Sequence, residues 1–382
     1  MKQASHDLNP QEVAQAAKAI YSIRVSKDVV GGFRNTQIRD KFDLENTSRF
    51  EGNSGIFQSS SGFGVIGKGS GTHSDEAIIV TRGTKTAADW FSNLIAVSTR
   101  SSNNKSVHKG FNNIFNSFDD QLFTKLRLMN PSVVHCVGHS LGGALATLIA
   151  EKIKVENIAD PYLYTFGCPR VGDYHFSDSF TRDIGASRIH RSYHKTDIVP
   201  MFPVWPFVHS PTPGLSCYID SPGNHPGAEY HDMKYYIKSV KDHSNWDTLH
   251  KRHPKTNIEE QVENWLDSDS PLAFTGNTIA MINSAIMYVI KKIALAGLQF
   301  VIGESANIVD MMAAFLTKAA KLTKNTFVLV KKLMIRILTA LGRTAAKVKD
   351  ITVDFVKLVL DALALALQQA TSMAIRLTHK VL

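Results

Sequence analysis

The run Val133-Val134-His135-Cys136-Val137-Gly138-His139-Ser140-Leu141-Gly142-Gly143-Ala144 decides the fold of this chain. Its first five residues, mostly apolar, predict a strand, and the stretch from Ala144 to Lys152 predicts a helix. Between them Ser140 stands at the corner, with glycine two positions to either side. Strand, sharp turn and helix with serine at the bend is the pattern of a nucleophile elbow. The bend holds the serine in a strained backbone geometry, where a Cβ at Gly138 or Gly142 would collide with the neighbouring strand or helix. In a chain with 24 glycines the bare Gly-x-Ser-x-Gly pattern is weak, so its flanks carry the inference.

Outward from the elbow, residues 50–245 alternate short β-rich runs, such as Ala77-Ile78-Ile79-Val80 and Tyr162-Leu163-Tyr164-Thr165-Phe166, with helical stretches near 110–130 and 141–154. Such alternation predicts an α/β sheet with helices on its faces. Ser- and Gly-rich turns around residues 53–74 bracket a hairpin. Within them Gly62-Phe63-Gly64-Val65-Ile66-Gly67-Lys68-Gly69 imitates a nucleotide-binding fingerprint. No Ser or Thr follows Lys68, and the next element reads as a turn and a strand, not a helix whose N-terminus would hold phosphate. No nucleotide is expected.

The net charge of +9 resembles a nucleic-acid signature until it is divided along the chain. Residues 1–270 hold 29 Lys and Arg against 29 Asp and Glu, whereas residues 271–382 hold 14 against 5. Nucleic acid is therefore not an expected partner of the α/β part, and any electrostatic partner belongs to the C-terminal part. The three cysteines, Cys136, Cys168 and Cys217, have spacings that fit neither a zinc site nor a disulfide framework, and they read as buried small apolar residues. Met1 to Ile20 lacks the apolar core of a signal peptide and reads instead as an amphipathic helix, with Asn9 as N-cap, Pro10 at its first position and Glu12 three residues past the cap. Cytoplasmic synthesis without a signal peptide is expected, with any export by a leaderless route.

After Asp267-Ser268-Asp269-Ser270-Pro271 the β signals give way to helical periodicity. Val330, Leu333, Met334, Ile337, Leu338 and Leu341 share one face, with Lys331, Lys332, Arg336 and Arg343 largely off it. Val348, Ile351, Phe355, Leu358, Val359 and Ala362 repeat the arrangement. Only Ala285 to Gly303 approaches membrane-span length, and Lys291-Lys292 interrupts it, so an independent transmembrane helix is not expected. Either this region is a helical bundle packed on itself or on the α/β part, or it is a cationic surface that docks on anionic lipid or a partner. Three parts result: residues 1–50, a helical segment packing on the core; 51–270, the α/β domain; and 271–382, a basic amphipathic helical region.

Ser140 needs a base and an orienting acid, which in an elbow fold follow in the order serine, acid, histidine. Asp197 stands just beyond a strand predicted over Arg188 to Tyr193, where its carboxylate can reach the crevice at the top of the sheet. Asp173 and Asp178 are alternatives, but they lie in an apparent helix start, where capping is the ordinary task of aspartate. His231 leads for the base, and His225, His243 and His250 compete, since 15 histidines leave residue type uninformative.

The run from about residue 75 to 240 resembles the class 3 lipases, the fungal triacylglycerol lipase-like family of α/β-hydrolases, at seven ordered places. Val80-Thr81-Arg82-Gly83-Thr84 resembles the family's strand ending in Arg-Gly-Thr, Asp89-Trp90-Phe91-Ser92-Asn93-Leu94 its lid segment, and Val107-His108-Lys109-Gly110-Phe111 the entry to its next helix. Gly138 to Gly143 matches its nucleophile motif. Thr165-Phe166-Gly167-Cys168-Pro169-Arg170-Val171-Gly172-Asp173 is a highly specific signature, Thr196-Asp197-Ile198-Val199-Pro200 carries the acid, and His231-x-Met233-x-x-Tyr236 resembles the terminal histidine motif. The C-terminal 112 residues have no counterpart in the ordinary family pattern.

The resemblance implies an α/β-hydrolase fold with an appended C-terminal α-helical region, and a serine esterase in which Ser140 attacks, His231 relays the proton and Asp197 orients the imidazole. The oxyanion hole would comprise the backbone N–H groups of Leu141 and Thr84, with the Thr84 hydroxyl as a third donor. Trp90, Phe91, Leu94 and Ile95 would form a lid opening at a lipid surface; otherwise they are a surface helix packed permanently on the core. Neither cofactor nor metal is called for. The expected partner is a lipid or membrane surface, with an immunity or carrier protein as a further candidate. A leaderless lipase with a cationic tail also resembles, in architecture, antibacterial lipase effectors (toxins of type VI secretion) that attack phospholipids of a target membrane. The alternative is a membrane-perturbing or partner-binding helical protein with a degenerate hydrolase as scaffold, against which the intact Ser140, Asp197 and His231 argue.

Overall fold

A computed structural model describes residues 6–22, 32–54, 59–83, 97–194, 196–212, 216–219, 228–249, 258–302, 307–344 and 348–380. Seven strands form one sheet: β1 (Phe42–Ser54), β2 (Ser59–Gly69), β3 (Glu76–Thr81), β6 (Val133–His139), β7 (Asp160–Phe166), β9 (Ile189–His194) and β11 (Cys217–Ile219), neighbours in that order. The first three are antiparallel, and β3, β6, β7, β9 and β11 are mutually parallel. Every residue of β3 and β6 is buried. Parallel strands covered on both faces lose the polar alternation of a half-exposed strand, which is why these segments read as continuous apolar runs.

On one face lie α2 (Lys109–Asn116), α3 (Asp119–Met129) and the long α4 (Leu141–Val155), whose Leu145, Leu148, Ile149 and Ile153 are buried. On the other lie α1 (Pro10–Ala19) and α6 (Met233–Val240), packed on Val65, Ile78, Val80, Tyr164 and Phe166. The α1 start is a capping box of Asn9 and Glu12 with Pro10 at the first position. Helix α5 (Tyr174–Ile184) begins at Asp173, whose carboxylate accepts the Phe176 N–H as a cap, while Asp178 pairs with Arg182. A small antiparallel sheet, β10 (Phe207–Val208), β8 (Gly172–Asp173), β5 (Ser106–His108) and β4 (Ser98–Arg100), flanks this side. The fold is that of an α/β-hydrolase. All three cysteines are buried and free.

The Gly62–Gly69 run lies within β2 and pairs with β1 and β3. A Cβ on Gly64 would stand 2.3 Å from Phe50 Cζ and 2.5 Å from Val80 O, so a side-chain collision, not a phosphate, accounts for that glycine.

Strand β1 starts at Phe42 and runs through residue 50, and α7 (Ile258–Asp267) packs with the C-terminal helices, its Glu259, Glu263 and Asp267 pairing with Lys291, Lys292 and Lys332. Those helices are α8 (Gly276–Leu295), α9 (Ile308–Ala320), α10 (Lys324–Ala340) and α11 (Val353–Lys380), and one apolar core runs continuously from the α4 face of the sheet into them. Arg336, expected off the apolar face, is buried: its guanidinium lies over the Trp265 ring and donates to Ser270 O. An amphipathic wheel misses this because the indole and a carbonyl of another segment supply the polar contact. Leu358, expected inside, is 57% exposed, because the helix begins only at Val353 and the periodicity counted from Val348 runs out of phase; Val356, Leu363 and Leu367 face inward instead. The apolar stretch 285–303 is cut at Leu295, followed by Gly297 at φ +91°. Two helices, Gly276–Leu295 and Val353–Arg376, are nevertheless long and apolar enough to cross a membrane.

Candidate active site

Ser140 sits between β6 and α4 at φ 58°, ψ −130°, a sparsely populated conformation for a residue with a side chain. The surroundings over-determine it. Its N–H donates to Phe166 O at 3.0 Å, and Thr81 Oγ1 at the end of β3 reaches both Val137 O and Gly142 O, at 3.0 and 2.7 Å. A Cβ on Gly138 would lie 2.3 Å from Gly142 O, and one on Gly142 would lie 2.5 Å from Thr81 O. These are backbone contacts with nowhere to yield, so the two glycines are the condition for strand, turn and helix to meet this closely. The Leu141 N–H opens α4, where no intrahelical acceptor exists, and is left to meet an oxyanion at Ser140.

His231, at the end of the Ala228–His231 turn, places Nε2 2.8 Å from Ser140 Oγ and Nδ1 2.8 Å from Asp197 Oδ2. Asp197, in the loop after β9, also accepts the Tyr236 hydroxyl at 2.7 Å on Oδ2 and the Val199 N–H at 3.0 Å on Oδ1. A carboxylate so engaged can only accept, so its partner Nδ1 carries the hydrogen, which fixes the imidazole tautomer and lets Nε2 accept a proton from serine. Ser140, Asp197 and His231 are 4%, 1% and 1% exposed, so the charges formed in a reaction would be screened little by water. Burial pushes the Tyr236 hydroxyl well above its ordinary value of 10, and Asp197 beside it pushes the same way, which keeps the phenol a donor.

Two residues hold this line from behind. Gly167, at φ +56°, passes so close that a Cβ would lie 2.7 Å from Asp197 Oδ2 and 2.9 Å from His231 Nδ1. Tyr21, just past α1, places its hydroxyl 2.9 Å from His139 Nδ1 and accepts the Gly83 N–H at 3.3 Å, while His139 Nε2 donates to His231 O at 2.7 Å. The residue before the nucleophile is thus tied to the base and to the end of β3. Burial raises the Tyr21 hydroxyl to about 12, so it remains protonated.

The structure therefore brings Ser140, Asp197 and His231 together, with Leu141 beside them. Thr84, Trp90, Phe91, Leu94 and Ile95 lie outside the described residues, as do His225 and His250. His243 is half-buried and places its Nδ1 on Thr248 Oγ1 instead of the triad. Gly167 and Tyr236 were visible in the sequence as motif letters without a role. Nothing local marks Tyr21.

Residues 78–207 match the profile of the family described as Lipase (class 3). Phospholipase A1-II 1 of Oryza sativa subsp. indica is 28% identical over 200 residues, covering 43% of this chain and 50% of that protein. Toxin TseL of Vibrio cholerae serotype O1 is 35% identical over 102 residues, 26% of this chain and 15% of the toxin. The solved triacylglyceride lipase of Rhizomucor miehei aligns with 55% of this chain and 78% of its own at 23% identity and a TM-score of 0.43. The chain spans about half the length of the rice phospholipases it matches.

Proposed function

We propose that this chain, whose residues 78–207 match the class 3 lipase profile, is a carboxylic-ester hydrolase that cleaves acyl esters of lipids. The unbroken line from Asp197 Oδ2 through His231 to Ser140 Oγ, with 2.8 Å at each joint, carries this reading. Ser140 Oγ bonds to the ester carbonyl carbon as its proton passes to His231 Nε2. The carbonyl oxygen takes the negative charge and meets the Leu141 N–H, a donor whose interaction is strongest in the transition state. The bond to the alcohol then breaks, with the alcohol oxygen taking the proton from Nε2. Water, deprotonated by the same nitrogen, releases the acid and restores serine.

Membrane phospholipids of a target bacterium are the substrate class we favour. This finer reading rests on the similarity to a phospholipase A1 and a bacterial toxin, and on the basic C-terminal helices. Ser140→Ala should lower hydrolysis of a short-chain ester by on the order of 10⁴-fold or more with the fold intact, and should abolish labelling by a fluorophosphonate probe. Retention of more than a few per cent of the rate would sink the nucleophile assignment. Lipid mass spectrometry after incubation with mixed vesicles reports which acyl position and which headgroup are chosen.

A further inference from the structure

Helix α11 packs on the turn that carries the catalytic base. It runs antiparallel to α9: Ile351 and Val353 lie beside Thr317 and Lys321, and Leu363 and Leu367 share a cavity with Ile308 and Met312. The portion beyond Leu367 therefore overruns α9, and α11 packs against the Ala228–His231 turn that ends in the catalytic base.

Its composition is wrong for a helix that serves only this purpose. Val353–Arg376 supplies 24 residues apolar enough to cross a membrane, about 36 Å of helix against a hydrocarbon thickness of roughly 30 Å. The face turned from the protein carries Leu358, Leu365 and Met373, spaced by two helical turns and 57%, 51% and 63% exposed. The joint beneath is loosely built. A cavity of about 150 Å³ remains between α11, α9 and the Phe202–Trp205 loop, and the Thr371 and Thr317 hydroxyls are buried without a hydrogen-bond partner. At the end where α11 begins, Lys318, Lys321 and Lys324 are exposed, with no ion pair among the described residues, in the arrangement that an anionic headgroup layer would neutralise.

We propose that α11 is a bilayer-inserting cover: on an anionic phospholipid surface it leaves α9, enters the hydrocarbon, and uncovers the edge of the site formed by the His231 turn. This rests on the hydrolase reading above and adds to it how the enzyme is confined to membranes. The departing helix leaves Phe202, Trp205, Ile308 and Met312 as an apolar wall suited to an acyl chain.

The test uses the ion pair between Lys357 of α11 and Asp310 of α9 as the site of a clamp. The full-length double variant Lys357→Cys with Asp310→Cys, joined by a reducible bis-maleimide, should hydrolyse vesicles of phosphatidylglycerol and phosphatidylethanolamine at least ten-fold more slowly than the same protein after reduction. The three native cysteines are buried and remain unmodified in the folded protein. In a separate variant, an environment-sensitive fluorophore on Met373→Cys should be quenched by brominated lipid in those vesicles. Equal vesicle rates in clamped and reduced protein would overturn the proposal and leave the hydrolase reading standing. An unquenched Met373 probe on protein bound to vesicles would overturn it too, leaving the stripe to a second copy or a protein partner. A protein inert on vesicles and on soluble ester in both states would strike down the hydrolase reading, and the quenching would still decide the fate of the helix.

Discussion

At opposite ends of β3 and β6 two clusters bring imidazole against carboxylate, and only one of them is built for chemistry. At the C-terminal ends His231 bridges Asp197 and Ser140. At the N-terminal ends Glu76 accepts His6 Nδ1 on Oε1 at 2.7 Å, and His73 Nδ1 and His135 Nε2 on Oε2 at 2.6 and 2.9 Å. The imidazole–carboxylate hydrogen bond is the same in both. What differs is the second ring nitrogen: that of His231 faces the hydroxyl of a serine held at positive φ, whereas that of His135 faces Tyr164, whose hydroxyl holds the Leu8 N–H. The lower cluster fastens the N-terminal segment, helped by Asp7 on His190 and by Trp246 Nε1 on Leu8 O. Helix α1 then carries that segment up to Tyr21, behind the elbow.

The sharpest way to break this comparison is to remove one imidazole from each end. His231→Ala should lower the turnover of a soluble ester by on the order of 10⁴-fold, because members of a triad act as a unit. His135→Ala should leave turnover within about two-fold. Comparable losses in the two variants would dissolve the distinction.

Gly167→Ala should come next. An added methyl within 3 Å of both Asp197 and His231 must displace them, and misplacement of a catalytic group by about 1 Å costs about 10²-fold in kcat. Wild-type turnover in this variant would mean that the loop gives way without moving the triad. Tyr236→Phe removes one charge-assisted hydrogen bond from Asp197, worth about 1.5 kcal/mol, and should slow kcat by about ten-fold with KM little changed.

The smallest effect on rate, and the clearest on stability, belongs to Glu76→Gln: turnover unchanged, melting temperature lower by a few degrees. Burial pushes the Glu76 carboxyl up, but hydrogen bonds from His135, His6 and His73 outweigh it and hold it at about 2, below the ordinary 4.5. His135 is held below its ordinary 6.5 by burial, against the opposing pull of Glu76. Both groups take protons less readily folded than unfolded, so the unfolded chain binds more protons and stability falls as the pH is lowered. The His135 contribution is lost as pH drops below about 6.5, and the Glu76 contribution between about 4.5 and 2. Denaturant titrations of wild type and Glu76→Gln between pH 8 and 3 should converge toward the acid end; parallel curves would show that the cluster contributes nothing pH-dependent.

Much of the catalytic end was legible before any fold was known. The elbow is local: five strand residues, two glycines and a helix start suffice, and the contacts at Gly138 and Gly142 are made within a few residues or with the next strand. Asp173 was legible as a cap for the same reason. Arg336 and Leu358 were not, because one depends on an indole from a separate helix and the other on where α11 starts, just past Thr352, whose hydroxyl accepts the Phe355 N–H.

By itself the sequence determined the strand–turn–helix at Ser140, the apolar strands that bury it, and the division into a charge-balanced α/β part and a basic helical part. These follow from periodicity, glycine placement and charge, all of which act over a few residues. Only the tertiary structure decided which histidine meets the serine and which aspartate meets that histidine, across separations of 91 and 34 residues, and that Tyr21 supports the elbow from 118 residues away. It also decided that α11 lies on the catalytic turn. Such contacts exist only once the chain has closed loops and packed one element on another, and that depends on the joint fit of surfaces far apart in sequence, which no local pattern contains.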